Sequence, residues 1–165
     1  MNRQKELNEF VKDCLTQALF ELMAKKPFDE ISITELVSRA GVSRASFYRN
    51  FESRKDIVEK YLRTLIMELN KEVVPTTDDW ESFSVLLLNH FYRHKEVYLL
   101  LYRQQMASLI YEVIRWSMKI DECDDNVRCY KRSAVAGLVF GAVDEWIRRG
   151  MKETPGEIVE MTSEL

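Results

Sequence analysis

Ile33 to Ile57, ITELVSRAGVSRASFYRNFESRKDI, is the stretch that decides the fold. Ser32 stands just before it, and Glu35 follows three residues later, the spacing of a capping box at a helix start. Ile33, Leu36 and Val37 give this helix one apolar face. Ala40 is small where two helices must cross closely, and Gly41 breaks the helix at a position suited to a left-handed turn residue. Val42 then plugs the gap between the helices, and Ser43 can cap a third helix of about two turns, from Arg44 to roughly Arg49. Phe47 and Phe51 lie four apart and face inward. Arg44, Ala45, Ser46, Tyr48, Arg49 and Asn50 are left to populate the exposed side. A short helix presenting these groups suits a DNA major groove: Arg reaches guanine edges bidentately, while Ser, Tyr and Asn donate to phosphates.

Outward from this core the periodicity stays helical. Leu7, Phe10, Val11, Cys14, Leu15, Ala18, Leu19, Leu22 and Met23 form the stripe of an amphipathic helix that ends before Pro27. On the other side, Ser53 with Asp56 opens a fourth helix, with Ile57, Val58, Tyr61, Leu62, Leu65, Ile66 and Leu69 inward, stopping near Pro75. The segment Val74 to Asp79, with its Pro, Thr and Asp residues, is the expected break between two regions. Helices are expected at about 80–93, 95–103, 105–119 and 126–150. A last one starts at Thr154, where Thr154-Pro155-Gly156-Glu157 combines an N-cap, a first-turn Pro and an N3 Glu. The acidic stretch Asp121 to Asn126 reads as a loop. With only 5 Gly and 3 Pro in 165 residues, little interrupts the helices. The fold class is therefore all-α, with about nine helices: a three-helix helix-turn-helix domain, then a second helical domain.

The spaced pattern Ala40-Gly41-Val42-Ser43, Phe47-Tyr48-Arg49-Asn50-Phe51 and Arg54-Lys55-Asp56-Ile57 resembles the signature of the TetR (tetracycline-repressor-type) regulators. The resemblance covers about the first 60 residues and implies a helix-turn-helix that binds DNA as part of a homodimer. It places Arg44, Ala45 and Ser46 at the groove end of the recognition helix, with Ser43 at its cap and Arg49 beside them. Tyr48 and Asn50 would contact phosphate or flanking bases, and Arg54 or Lys55 the backbone. Thr34 would sit where the second helix's N-terminus approaches phosphate. The domains implied are 1–52, binding DNA, and 53–165, comprising the linking helix and a ligand-binding and dimerisation domain. The function implied is a transcriptional regulator, a repressor, on a near-palindromic operator.

The C-terminal stretch from Ala136-Gly137-Leu138 through Trp146 to Met151, then Thr154-Pro155, also resembles such regulators, whose last two long helices pair between subunits. Gly137 and Gly141 are four apart on one helix face and would let another helix approach closely; close packing within the chain is the alternative. Gly137, Leu138, Phe140, Gly141 and Trp146 are the expected dimer residues. Phe83, Phe91, Tyr98, Tyr102, Met106, Tyr111 and Trp116 are candidate walls for a small apolar or aromatic effector, against the plainer reading that they fill the core.

Composition fits this picture. Hydrophobic residues are 46% of the chain and charged residues 31%, too apolar for a disordered chain. The net charge is −3, yet Arg39, Arg44, Arg49, Arg54 and Lys55 face a single acid, Glu52, between positions 39 and 55. A basic patch on an acidic body suits one local contact with a polyanion, although an ordinary solvated face would look similar. Three sparse cysteines, Cys14, Cys123 and Cys129, point to a reducing cytoplasm. The N-terminus lacks the apolar core of a signal peptide, and the longest apolar run is too short to span a bilayer.

Other constellations carry less. His90 and His94 have metal-compatible spacing but no third ligand, and surface or helix-end histidines are the alternative. Cys123 and Cys129 are six apart, read as ordinary thiols or as a redox or metal pair. The acidic loop lacks the Gly and terminal Glu of an EF-hand. No catalytic motif appears, so no enzyme, metal or cofactor is expected. A helical protein-binding adaptor with a vestigial helix-turn-helix is the competing class.

Overall fold

A computed structural model describes residues 3–72 and 80–162. The expected break, Val74 to Asp79, lies outside the described residues, and so do the side chains of Trp80 and Phe83. Among the described residues there are nine α-helices and no strand. They are α1 (Arg3–Met23), α2 (Ile33–Ala40), α3 (Arg44–Asn50), α4 (Arg54–Glu72), α5 (Trp80–Arg93), α6 (Lys95–Arg103), α7 (Ala107–Ser117), α8 (Asn126–Arg148) and α9 (Pro155–Thr162). Two 3-10 turns, Phe28–Glu30 and Ile120–Glu122, sit where loops were expected.

The chain divides into two compact units, one ending at Tyr61 and the other starting at Leu62, so the division falls inside α4. Phe20 and Tyr61 pack their rings at 5.1 Å within the first unit. There α1, α2 and α3 pack against one another. Leu15, Leu19, Leu36, Phe47 and Ile57 are fully buried, as the 3.6-residue stripes require.

Each turn in this unit follows from a few polar atoms. The Glu35 N–H donates to Ser32 Oγ at 3.1 Å, the first half of the expected capping box. The Glu35 carboxylate mainly accepts from Lys26 Nζ at 2.5 Å. That bond, with a lesser one from the Ser32 N–H, holds its pKa below the usual carboxylate value against the opposing effect of desolvation. Gly41 adopts φ 67°, and the Val42 N–H reaches back to the Val37 carbonyl at 3.0 Å, closing a Schellman turn. Any side chain at position 41 would be strained in that left-handed conformation.

In the second unit α8 packs against α6 and α7, while α5 packs against α6 and α9. α8 buries Ala136, Val139, Val143, Trp146 and Ile147. Its opposite side is also apolar: Val127 is 60% exposed, Tyr130 77% and Leu138 57%. At its start, Asp125 Oδ1 accepts from the Val127 N–H at 3.1 Å. Further on, the Thr154 cap of α9 forms both arms of a capping box. Thr154 N–H donates to Glu157 Oε2 at 2.7 Å, and Glu157 N–H to Thr154 Oγ1 at 3.3 Å. Among the described residues no helix is long and apolar enough to cross a membrane.

Candidate nucleic-acid interface

The turn between α2 and α3 aims α3 outward. Phe47 is fully buried and Phe51 nearly so, which fixes the rotation of the helix about its axis. Ser43 caps it: the Ser46 N–H donates to Ser43 Oγ at 3.1 Å, and the two hydroxyls are 3.0 Å apart. Arg44, Ala45, Tyr48 and Arg49 are then exposed, along with Ser43 itself, while Ser46 is half-buried. Tyr48 packs its ring edge-on to Phe47 at 5.1 Å and remains 56% exposed. Arg44 and Arg49 make no ion pair among the described residues, so their charge is available to a ligand. Thr34, near the start of α2, and Lys55, near the start of α4, are exposed as well.

Three of the charged or polar groups expected at this surface are used within the chain. Arg39 donates through Nε to Glu21 Oε2 at 2.8 Å, joining α2 to α1 and drawing the Glu21 pKa down. Asn50 Nδ2 donates back to the Ser46 carbonyl at 2.8 Å, so its amide caps its own helix and is only half-exposed. Arg54, expected on the DNA backbone, donates instead to the carbonyls of Phe28 (2.6 Å) and Ile31, and its guanidinium lies 4.9 Å from the Phe28 ring centre. Two carbonyls at the 3-10 turn converge on a single nitrogen, Nη1, of the guanidinium, while its flat face lies over the Phe28 ring. No sequence pattern announces that turn, so the competing demand on Arg54 was not visible.

Lys60 is a contributor that sequence reasoning missed. Its ammonium donates to the Asn50 carbonyl at 3.1 Å and to Asp56 Oδ2 at 2.8 Å, and lies 5.2 Å from the Phe51 ring centre. A cation on the last carbonyls of α3 suits the negative end of the helix dipole. The i, i+4 spacing to Asp56 was the available signal.

In the second unit the candidate effector residues do not form one wall. Phe91 and Tyr98 are fully buried and stacked at 4.5 Å. Tyr111 packs on Phe140 at 5.1 Å, and Trp116 lies under the Arg63 guanidinium at 4.6 Å. Met106 is half-buried at the start of α7. Tyr102 faces a surface depression of about 660 Å³, lined also by Leu99, Arg103, Ile147 and Arg148. Burial and a hydrogen bond donated to Asp144 push the Tyr102 phenol well above its ordinary pKa. Phe83 cannot be placed with them, since its side chain lies outside the described residues.

The expected dimer residues separate into two groups. Gly137, Leu138 and Gly141 share the outer side of α8, and a Cβ at either glycine would meet nothing within 4 Å. Close packing within the chain therefore does not account for these glycines. Trp146 turns the other way: it is 2% exposed, stacks on Tyr92, and donates through Nε1 to the Glu153 carbonyl at 3.1 Å. Phe140 is half-buried against Tyr111. Trp146 belongs to the core of the unit, while Phe140 sits at its edge, off the outer stripe of the helix.

His90 is buried rather than on the surface, and its ring lies 4.9 Å from that of His94. No cluster of three metal-binding side chains occurs among the described residues.

Residues 15–61 match the family described as bacterial regulatory proteins of the tetR family, and residues 78–165 match a transcriptional regulator C-terminal region. The chain belongs to the TetR family of regulators. It is 26% identical, over 95 residues, to the uncharacterized HTH-type transcriptional regulator YvdT of Bacillus subtilis (strain 168). That match takes in 53% of this chain and 49% of YvdT, so the chain spans about half the length of the curated relative it matches. The crystal structure of Lin0861 from Listeria innocua is similar in fold, with a TM-score of 0.78 at 17% identity, covering 99% of this chain and 92% of that one. The TetR assignment and the all-α architecture agree with the helix-turn-helix geometry of α2 and α3.

Proposed function

We propose that this TetR-family regulator is a homodimeric repressor that reads a near-palindromic operator through α3, with 1–52 as the DNA-binding domain and 53–165 as the linking, effector and dimerisation domain. The observation that carries the reading is the outward face of α3. Arg44, Ala45, Tyr48 and Arg49 are exposed together on a helix whose other side is locked by Phe47. Arg44 is the base-reading candidate, with Ser43, Ser46 and Ala45 beside it. Tyr48, Arg49, Thr34 and Lys55 are candidates for phosphate. Asn50 and Arg54 act chiefly by holding that surface in place. The repressor sense follows from the resemblance to tetracycline-repressor-type proteins, and the operator symmetry from a two-fold dimer.

The dimer reading is supported by the outer stripe of α8. Val127, Tyr130, Leu138 and Gly141 recur at helical spacing, largely exposed, on a helix apolar on both sides. The effector reading is supported by the depression beside Tyr102. Glu96, Arg103 and Arg148 add charge of both signs to a wall expected to be almost uncharged, with Arg148 paired to Asp144, and Leu99, Tyr102 and Ile147 leave room for an aromatic or apolar molecule. Selection of bound duplexes from a random pool tests the central proposal. An enriched inverted repeat supports it; a pool without a motif at low salt removes it.

A further inference from the structure

The thiol pair of the second unit is not used by any part of this reading. Cys123 closes the 3-10 turn after α7, and Cys129 stands in the first turn of α8. Between them Asp125 caps the helix, and the Cys129 N–H donates to the Asp125 carbonyl at 2.9 Å. This short return brings Cys123 against the side of α8 that carries Cys129 and, one turn further on, Arg132, whose guanidinium reaches Cys123 Sγ. Both residues are half-buried and reduced. A small oxidant can therefore reach the sulfurs, while the surrounding structure holds them as neighbours.

The two sulfurs have different surroundings. Arg132, one turn beyond Cys129 on α8, donates through its guanidinium to Cys123 Sγ at 3.5 Å and to the Lys119 carbonyl at 3.2 Å. That second bond fixes the cation in place. Cys129 makes no such contact with the guanidinium: the neighbouring Cys123 thiol and burial push its pKa up, with Arg132 opposing. Cys123 is thus the sulfur in contact with a cation, and its thiol donates to the Lys119 carbonyl at 3.7 Å, an acceptor that can hold the proton until the thiol ionises. A positive charge there stabilises the negative charge that sulfur carries when it attacks.

We propose that Cys123 and Cys129 form a peroxide-oxidisable pair, with Cys123 the attacking thiol and Cys129 the resolving one. The Cys123 thiolate attacks one peroxide oxygen; the S–O bond forms, the O–O bond breaks, and the departing oxygen leaves as water or alcohol after taking a proton. Cys123 is then a sulfenic acid. The Cys129 sulfur attacks Cys123 Sγ; the S–S bond forms, the S–O bond breaks, and hydroxide leaves as water with the Cys129 proton. Two thiols have lost two electrons and two protons to one peroxide. A dithiol reductant reverses the change and departs as its own disulfide. The bridge would tie the 3-10 turn to the first turn of α8. Cys129 lies on the inward side of α8, away from the Val127, Tyr130 and Leu138 stripe, so the oxidation does not depend on whether that stripe is covered.

The test treats the full chain with a small excess of hydrogen peroxide, quenches with an alkylating agent and maps the thiols by mass spectrometry. Cys14 serves as the reference thiol. Cys123 and Cys129 should be lost together as an intrachain bridge, roughly tenfold or more faster than Cys14 is oxidised, and should return on addition of dithiothreitol. In Cys129→Ser, a sulfenic acid should accumulate on Cys123 and be trapped by dimedone. In Cys123→Ser, Cys129 should stay alkylatable at the same dose. Arg132→Gln should slow the wild-type reaction. Oxidation of Cys14 at an equal rate, bridges only between chains, or sulfenic acid trapped on Cys129 instead of Cys123 would each overturn the proposal. The wild-type result stands even where a variant folds poorly.

Discussion

Replacing Arg54 with methionine should destabilise the N-terminal unit far more than loss of a surface cation would. The side chain donates to two carbonyls, Phe28 and Ile31, and covers the Phe28 ring. Hydrogen bonds from a charged donor contribute about 1.5–3 kcal/mol each, and the ring contact about 0.5–1 kcal/mol. Arg54 is half-exposed, so water recovers part of this. The expected net loss is about 2–4 kcal/mol, in the range where a small unit's melting temperature falls by about 10 °C or more. Methionine keeps the aliphatic bulk, so the loss reports the guanidinium. Arg54→Lys should retain part of the stability, because an ammonium can donate to two carbonyls but has a shorter reach and no planar face to lay over the Phe28 ring. Urea titration followed by far-UV circular dichroism, with hydrogen exchange at the Leu36 and Phe47 amides, measures the effect where it should occur. A loss below about 0.5 kcal/mol, with those amides still protected, would mean that the two carbonyls do not depend on the guanidinium. It would return Arg54 to the role expected from sequence, a cation reserved for phosphate.

Other consequences are open to measurement. Gly141→Ala should raise monomer stability by about 0.5–1 kcal/mol, since a Cβ there meets nothing; Gly141→Arg should leave the fold intact yet convert dimer to monomer by light scattering. A variant that stays dimeric would remove α8's outer stripe from the interface. Gln105 sits at φ 58°, so Gln105→Gly should stabilise the chain by up to about 1 kcal/mol in a thermal melt; destabilisation would contradict the assigned backbone. Desolvation raises the Asp144 pKa, but hydrogen bonds from Arg148 and Tyr102 outweigh it and hold the group below its usual value. Its contribution is therefore present above the unfolded pKa and lost as pH falls through the folded one. Asp144→Asn should cost stability at neutral pH and converge with wild type in acid, and a pH-independent difference would count against that pairing.

The sequence made the fold legible because its punctuation is local. Ser32, Gly41, Ser43, Ser53 and Thr154 each mark a helix end through a hydrogen bond or a backbone conformation visible within a few residues. Helical periodicity also separated Phe47 and Phe51 from Arg44, Tyr48 and Arg49. What it could not show were demands made from a distance. The carbonyls of Phe28 and Ile31 claim Arg54 across more than 20 residues, and Glu21 claims Arg39 across 18. The same limit applies to the aromatics: a list of Phe and Tyr residues does not say that Phe91 and Tyr98 stack on each other while Tyr102 turns to Asp144. For the glycines of α8 the pattern was informative. Gly137 and Gly141 prove to be on an open face.

Whether the exposed face of α3 reads DNA is open to paired titrations. Fluorescence anisotropy would compare a selected operator with a scrambled duplex, at two salt concentrations, for the wild type and Arg44→Ala. The operator should be bound far more tightly than the scrambled duplex, and both affinities should fall steeply with salt. Arg44→Ala should lose about 1–3 kcal/mol on the operator and much less on the scrambled sequence. Equal affinity for both duplexes, little salt dependence and no effect of Arg44→Ala would contradict DNA reading by α3.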